Sequence, residues 1–419
     1  MKKILLISHL PISTDTNVGK TLFNLFSGYP KEKISQIYFT ESGDKIPGVN
    51  YLYIDELLLL KSFLNINKNS TKVEGGHNKS RTRELIYNKL NLRSPLALLM
   101  RDLLWRFSMR DSSKIYCWLD SINPDIIFLA PGYSIFTYRM ACNFSKHCGA
   151  RIVTYFMEDF YNERRFSLSP FFWIRYDLFR GAVKKCVKES ALIFTINESL
   201  TKDYKSLFKK DVFTLFNPSP YLSIPVSKKG KSNMFSFFYG GNVGIGRIDV
   251  LLEIGRVIEL LNSEGFNAQL LLYGEIKSES IINSINSINS IHYGGAISSD
   301  ELVDAIANSD CLLHVESFEK KYIAKTRKAF STKIPEYLSS GKLIVAVGPN
   351  NIESVNYLYR TKSAVIVDNI EFLYDKLKAI LENRVCSDVL IKQAEKISQI
   401  NHNPQTIQTF LYNQISKIE

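Results

Sequence analysis

The segment from residue 331 to residue 342 constrains the fold most, because it joins two apolar runs through a short helix. The runs Cys311–Val315 and Leu343–Val347 are typical of buried strands. The hydroxyls of Ser331 and Thr332 are able to cap a helix, and Gly341 is able to end it. A strand, a helix and a second strand in this order predict a parallel unit of an α/β fold.

The first turn of this helix carries groups that suit a phosphate. A helix N-terminus offers free N–H groups and a partial positive charge, and Lys333 adds a full charge at the same end. Glu336 follows one turn later, and its carboxylate is able to accept hydrogen bonds from two vicinal ribose hydroxyls. These residues predict a binding site for a nucleoside diphosphate.

A glycine turn upstream, within residues 237–247, also suits a phosphate. Gly241 lets the backbone approach a phosphate closely, and Arg247 supplies a second cation. The two segments together resemble the donor site of retaining, nucleotide-sugar-dependent glycosyltransferases of the family 4 type, which have two facing Rossmann-like domains (the GT-B architecture) with a cleft between them. The resemblance is strong from Phe235 to Asp368 and holds only in outline for the N-terminal half.

The resemblance implies roles for individual residues. Arg247 and Lys333 would clamp the diphosphate and stabilise it as a leaving group, while Glu336 would hold the ribose. The remaining donor-binding positions that it implies are Gly241, Asn242, Ser331 and Thr332. The nucleotide-diphospho-sugar would be a substrate, and no cofactor is expected.

The chain departs from the family pattern at two places. Lys328 stands where the family usually has the first of two glutamates, so the contact with the donor sugar is open, with Glu316 and Glu319 as candidates. Asn242 replaces the basic residue usually found just after the glycine turn.

Length and composition indicate two ordered domains. A chain of 419 residues exceeds one ordinary core, and 45% hydrophobic residues exclude a disordered protein. We expect residues 1–216 to form an acceptor-binding Rossmann-like domain, 217–233 a linker and 234–400 the nucleotide-sugar-binding domain. Residues 401–419 are expected to form a helix that returns to the first domain.

Six cysteines without C-x-x-C spacing, and no secretory leader, predict a cytoplasmic protein. No apolar run is long enough to span a bilayer. The formal net charge is +12, and the excess lies entirely in residues 1–234. Such a field favours an anionic partner, and we expect peripheral attachment at the inner face of the plasma membrane.

The basic residues of 61–115, with Arg101, Trp105 and Arg106, are predicted to carry most of this attachment. The helix that begins after Ser94 would either lie against lipid or pack on the sheet as an ordinary helix. Nucleic acid is not expected as a partner, because the basic residues match no RNA- or DNA-binding signature.

Residues 14–21 end like a phosphate-binding P-loop, but Thr14 occupies the position of its first glycine. A loop between the first strand and the first helix is the favoured interpretation, and the resemblance implies that this loop, with Gly19, lies beside the acceptor and the donor phosphates. His9 follows a predicted strand and is a weaker acceptor-side candidate.

Glu158 and Asp159 also follow a predicted strand, where open α/β sheets bind ligands. Asp159 is a candidate catalytic residue that would orient the acceptor hydroxyl, with Glu158 as its substitute. An acidic turn paired with Arg164 and Arg165 is an equal alternative.

No D-x-D triplet and no His/Cys cluster with metal-ligand spacing occur in the chain, so no metal site is expected. The loop 320–328, with five basic residues, either closes over the diphosphate or is an ordinary solvated loop.

The sequence predicts a glycosyltransferase that moves a sugar from a nucleotide-diphospho-sugar to a growing, lipid-linked cell-surface glycan or glycolipid, retaining and independent of metal. A nucleotide-sugar 2-epimerase and a catalytically silent scaffold that binds nucleotide sugar are the alternatives.

Overall fold

The computed structural model describes residues 1–14, 17–55, 94–108, 113–162, 167–219 and 233–419. Contacts within these residues divide the chain into two compact units, Met1–Leu215 with Gln408–Glu419, and Phe216–Ile407. Residues 220–232 of the predicted linker and most of the basic segment 61–115 lie outside the described residues, as do Arg164 and Arg165.

The first unit is built on a seven-stranded sheet in which every strand is parallel to its neighbours. In chain order the strands are β1 (Ile4–Ser8), β2 (Ile34–Tyr38), β3 (Asn50–Tyr53), β4 (Ile126–Ala130), β5 (Arg151–Phe156), β6 (Ser190–Thr195) and β7 (Phe213–Thr214). Their spatial order is β3-β2-β1-β4-β5-β6-β7, so the direction of sheet growth reverses between β1 and β4. Such a reversal opens a crevice at the carboxyl ends of those two strands.

Helices accompany this sheet, since parallel strands that are buried on both faces must be covered on both. In the described residues they are α1 (Asn17–Phe26), α2 (Pro95–Ser108), α3 (Ser113–Ile122), α4 (Ile135–Cys148), α5 (Pro170–Glu189) and α6 (Glu198–Phe208). A buried ion pair joins two of them, since Arg175 Nε on α5 donates to Asp102 Oδ2 on α2 over 2.8 Å. Arg175 also donates to the carbonyl of Tyr133 over 2.9 Å, which fixes α5 against the unit.

Trp105 on α2 contradicts its predicted place at a membrane contact. Its ring stacks on Phe136 with centroids 4.0 Å apart and planes 5° apart, and the residue is 3% exposed. Arg101 is also largely covered and donates to Ser134 Oγ over 3.0 Å, whereas Arg106 is exposed. α2 therefore packs on the first unit through the face that carries Arg101 and Trp105, which were predicted to contact the membrane.

The second unit has a six-stranded, fully parallel sheet. Its strands are β8 (Phe235–Gly240), β9 (Ala268–Tyr273), β10 (Ile291–Gly295), β11 (Cys311–Val315), β12 (Leu343–Val347) and β13 (Val365–Val367), in the order β10-β9-β8-β11-β12-β13. Growth of this sheet reverses between β8 and β11, which pair with Phe237 opposite Cys311. Two Rossmann-like sheets confirm the predicted fold class.

The helices of the second unit alternate with its strands. They are α7 (Arg247–Ser263), α8 (Glu279–Asn286), α9 (Ser299–Ala307), α10 (Lys320–Thr326), α11 (Lys333–Leu338), α12 (Glu353–Arg360), α13 (Leu373–Leu381) and α14 (Ser387–Asn401). The last helix, α15 (Pro404–Ser416), reaches the first unit, where Gln408 donates to the carbonyl of Asn24 over 2.7 Å and Tyr412 to that of Leu25 over 3.0 Å. None of the described helices is both long and apolar enough to cross a membrane.

A buried histidine fixes the start of the second unit. His402 Nδ1 donates to the carbonyl of Asn217 over 2.8 Å, and its Nε2 lies 2.9 Å from the hydroxyl of Tyr357. Burial lowers the pKa of His402 to about 4, so the ring is neutral and accepts from Tyr357. Ser219 Oγ is 2.9 Å from Ser339 Oγ, just after α11.

Candidate active site

The carboxyl ends of β8 and β11 carry the residues that the sequence singled out. Parallel strands on either side of a reversal end at the same crevice, so the loops that follow β8 and β11 lie at one edge of the sheet. Gly241 begins the loop after β8 with φ +138°, and the end of the Lys333 side chain occupies the space that a Cβ at this position would need. Gly241 is therefore required both for its backbone angle and for the approach of Lys333.

Asn242 shapes the turn through its side chain. Its Oδ1 accepts from the backbone N–H of Gly244 over 2.6 Å, and the hydroxyl of Tyr239 donates to its carbonyl over 2.6 Å. An asparagine side chain that accepts two residues onward stabilises a tight turn. The residue that replaces the family's basic position thus sets the shape of the loop that leads into α7.

Arg247 is the first residue of α7 and is held by a carboxylate. Its Nη2 donates to both oxygens of Glu316, each over 3.0 Å, and its Nε donates to the carbonyl of Val315 over 3.1 Å. Burial raises the pKa of Glu316, and the guanidinium of Arg247 opposes that shift. The side chain of Arg247 is therefore paired, and it is only 19% exposed.

Lys333, the first residue of α11, approaches the same point from the next loop. Its Nζ lies 4.3 Å from the ring centroid of Tyr239, close enough for a cation–π contact. Burial and, to a smaller extent, the charge of Arg247 lower the pKa of Lys333 to about 7, while Glu316 and Glu336 act in the opposite direction. Two cations and a carboxylate therefore share this edge, and one of the cations titrates near neutral pH.

His314 lies beside Glu316 at the same edge of the sheet. It is buried on β11, and its Nε2 lies 3.7 Å from Oε1 of Glu316. Among the described residues, Nε2 has no hydrogen-bond partner. Burial lowers the pKa of His314 to about 3, and Arg247 and Lys333 add to that effect, so the ring is neutral beside the carboxylate. In the sequence, the one feature that points to His314 as a site residue is its position at a strand end, two residues before Glu316.

The helix α11 differs in detail from the prediction. It has six residues and ends at Leu338, and the side chain of Thr332 makes no capping hydrogen bond. Ser331 Oγ instead accepts from the N–H of Lys333 over 3.4 Å, and the N–H of Ser331 donates to Ser354 Oγ over 3.0 Å. Glu336 is buried within this helix.

The two glutamates that are candidates for a contact with the donor sugar differ in their surroundings. Glu316 is buried at the end of β11 beside Arg247, whereas Glu319 is exposed and pairs with Lys321 over 2.7 Å. The basic segment 320–328 begins as helix α10, and the ring of Tyr322 lies where a Cβ on Gly246 would be. α10 thus packs against the loop that precedes Arg247.

The acceptor-side candidates in the first unit are mostly engaged in local structure. Asp159 accepts from the hydroxyl of Tyr204 over 3.0 Å and from the N–H of Asn162 over 3.2 Å, which favours a turn-forming role for this carboxylate. Glu158 is exposed. Gly19 is buried within α1 and does not lie in a loop.

His9 follows β1 at the reversal of the first sheet. Its ring packs edge-on against Phe136 and tilted against Phe39, with centroids 5.9 and 5.8 Å apart. Burial lowers the pKa of His9 to about 4, and Arg101 adds to this, so the ring is neutral at physiological pH. Within the described residues, no three His, Cys, Asp or Glu side chains are grouped so that they could hold a metal ion.

Two Rossmann-like units, with cations at the reversal point of the C-terminal sheet, have the GT-B fold. The chain resembles the solved structure of HepE from Anabaena in complex with UDP and glucose, at a TM-score of 0.64 and 11% identity over 100% of both chains. It also resembles a sucrose-phosphate synthase from Thermosynechococcus elongatus (0.63; 10%; 99% of both chains) and the lipopolysaccharide outer core galactosyltransferase WaaB (0.60; 14%; 99% of both chains). No protein-family model and no curated protein sequence matches the chain.

Proposed function

We propose that this protein is a glycosyltransferase that uses a nucleotide-diphospho-sugar donor, bound by the second unit. The observation that carries the proposal is the convergence of Arg247 and Lys333 at the carboxyl edge between β8 and β11. A leaving diphosphate is stabilised by positive charge held close to it, and Arg247 and Lys333 are two basic side chains held at one edge of the sheet. HepE, which has the same fold, was solved with UDP and with UDP-glucose.

The donor would lie along the loops that the structure brings together. Arg247 and Lys333 would contact the diphosphate oxygens, and Glu336 would accept from the ribose hydroxyls. Gly241, Asn242, Ser331 and Thr332 would line the approach of the phosphates. Arg247 would then share its donors between Glu316 and the diphosphate, which the five N–H groups of a guanidinium allow.

We further propose that Glu316 supplies the contact to the donor sugar that Lys328 cannot. Glu316 is a buried carboxylate at a strand end, and its oxygens are oriented by Arg247. A carboxylate next to the diphosphate site is placed to accept from sugar hydroxyls. The transfer would be retaining and independent of metal, with the nucleoside diphosphate stabilised by the two cations.

The proposed acceptor is a growing cell-surface glycan on a lipid carrier, presented to the first unit at an anionic membrane surface inside the cell. Structural neighbours include WaaB, a lipopolysaccharide galactosyltransferase, and TarM from S. aureus, solved with fondaparinux, α-GlcNAc-glycerol and UDP. The excess positive charge of residues 1–234 suits such a surface.

A thermal-shift series with UDP, GDP and ADP tests the donor site directly, because a ligand that binds only the folded state raises the melting temperature. We expect one nucleotide to stabilise the protein, and Lys333→Met to remove that stabilisation. Lys378→Met is the matched control, because Lys378 pairs with Glu264 on the surface of the same unit. No shift with any of the three nucleotides would contradict the donor site.

Incubation with the matching sugar nucleotide then separates the activities. Release of nucleoside diphosphate that depends on a glycan acceptor supports transfer. Conversion of the sugar nucleotide without an acceptor supports the epimerase alternative, and binding without turnover supports a scaffold.

A further inference from the structure

The outward face of α5 exposes more apolar surface than the packing of the first unit requires. Phe171, Trp173, Ile174 and Leu178 are 40%, 47%, 49% and 39% exposed, and Leu168 just before the helix is 88% exposed. Phe171, Ile174 and Leu178 are spaced by three and four residues, so they form one stripe along the helix. Trp173 lies on the adjacent stripe.

This concentration is local. The described residues include fifteen exposed large hydrophobic side chains, and five of them fall between residues 168 and 178. Two more, Leu96 and Met100, lie on α2, the helix tied to α5 by the Arg175–Asp102 ion pair. Single exposed apolar residues are ordinary, but a contiguous group marks a surface that contacts something other than water.

The opposite face of α5 already has its packing partners. Phe179, Val183 and Cys186 are buried in the core of the first unit, and Arg175 is held by its ion pair. The outward apolar residues therefore do not contribute to that core, and their exposure is not a consequence of a loosely held helix.

Charge on the same face indicates what covers it. The outward stripes continue beyond Leu178 to Lys184, Lys185 and Lys188, all exposed. An exposed apolar surface with a tryptophan, next to exposed lysines, has the side chains through which proteins contact a membrane interface that contains anionic lipid. Asp177 is the acidic residue within the apolar half of this face.

We propose that α5 is the membrane-docking element of this protein, with residues 168–178 inserted among the headgroups and acyl chains and the three lysines on anionic lipid phosphates. This extends the proposed function, because it states how the first unit would meet a lipid-linked acceptor. It also moves the expected contact from α2, where Trp105 is buried, to α5.

Trp173 reports on this docking without modification. Of the three tryptophans, Trp105 is stacked in the core and Trp118 is partly buried, whereas Trp173 is exposed on the proposed face. Vesicles of phosphatidylcholine with phosphatidylglycerol should shift the emission to the blue, and brominated lipids should quench it. Pure phosphatidylcholine should bind at least tenfold more weakly, and high salt should weaken binding to the anionic vesicles.

A pair of double variants tests the location by flotation with the same anionic vesicles. Ile174→Ser with Leu178→Ser should reduce bound protein at least tenfold and leave Trp173 in place. Leu260→Ser with Val389→Ser is the matched control, since these side chains are 52% and 64% exposed on the second unit, and it should bind like the unchanged protein.

Equal flotation of both variants would overturn the assignment to α5, and so would absence of any vesicle binding at low salt. Concentration-dependent dimerisation that the α5 variant abolishes, with no vesicle binding, would make a second copy the occupant and overturn the proposal. The thermal shift with nucleoside diphosphate should be the same in both variants. Vesicle binding without nucleotide binding would refute the donor site and not the docking surface.

Discussion

Binding of a nucleoside diphosphate should take up a proton, because Lys333 has to be charged to hold it. Burial and the nearby Arg247 lower the pKa of Lys333 to about 7 in the free protein. A bound diphosphate supplies negative charge, which favours the ammonium and raises this pKa. Between the free and the bound pKa, protonation of Lys333 is therefore part of the binding reaction.

The size of the effect follows from the pKa of the free protein. At pH 8.5, charging a lysine of pKa about 7 costs about 2 kcal/mol, since each pKa unit corresponds to about 1.4 kcal/mol. Affinity should fall roughly 15-fold between pH 7 and pH 8.5, because at pH 7 about half of the Lys333 side chains are already uncharged. Below pH 7 the terminal phosphate begins to take up its own proton, with a pKa of about 6, so the tightest binding is expected near pH 7.

Calorimetric titration in phosphate and in Tris buffer measures the linkage, because the buffers differ in ionisation enthalpy. At pH 8.5 the difference between the two apparent enthalpies, divided by the difference in buffer ionisation enthalpy, should correspond to the uptake of close to one proton. Lys333→Arg keeps its charge at every pH of this range, so its affinity should vary little and its proton uptake should disappear.

Equal enthalpies in the two buffers, with an affinity that is flat from pH 7 to 9, would refute the reasoning. Lys333 would then already be charged in the free protein, and the burial of its ammonium would not impose the proposed cost. A pH dependence that persists unchanged in Lys333→Arg would assign the titration to another group.

Four further outcomes are expected. Arg247→Ala should slow turnover about 10²- to 10³-fold. It should also lower the free energy of unfolding by about 3–5 kcal/mol, since Glu316 loses its partner. The double variant with Glu316→Gln should regain stability in urea titrations but not turnover. Glu336→Gln should weaken nucleoside diphosphate binding and leave pyrophosphate binding nearly unchanged, and equal losses would make Glu336 structural. Activity should persist in excess EDTA, and complete loss reversed by Mg²⁺ would mean that acidic ligands exist. His402→Leu should cost about 1–3 kcal/mol of stability, because Tyr357 and the carbonyl of Asn217 lose their partner; an unchanged urea midpoint would contradict this.

The buried strands could be predicted from the sequence because their signal is local. β11 and β12 have the predicted bounds, since continuous apolar runs between polar turns have few other interpretations. β3 (Asn50–Tyr53) was missed: it is four residues long, only partly buried, and lies at the edge of its sheet. An edge strand is defined by its neighbour and not by its own pattern.

The segments that carry Arg247 and Lys333 could be recognised for the same reason, but their contacts could not. Arg247 and Lys333 were found because each lies in a short segment with recognisable glycines or hydroxyls. The ion pair between Arg247 and Glu316 joins residues 69 positions apart, and only the pairing of β8 with β11 brings them together. The orientation of α2 could likewise not be predicted from its own residues. The pattern of an amphipathic helix does not indicate which neighbouring element its aromatic face contacts.

These long-range contacts determine the electrostatics of the site in the free protein. Arg247 is paired with Glu316, and Lys333 is only half charged near pH 7, so the site holds less positive charge than two free cations would give it. In the free protein this arrangement avoids the cost of two unpaired buried charges. A diphosphate would restore the charge of Lys333 and draw on the donors of Arg247, so positive charge would reach full strength only with the donor in place. Glu316 pairs with Arg247, so a sugar bound to Glu316 would be linked through this pair to the diphosphate. Because the charge of Arg247 also shifts the pKa of Lys333, removal of either cation should change the electrostatics of the other.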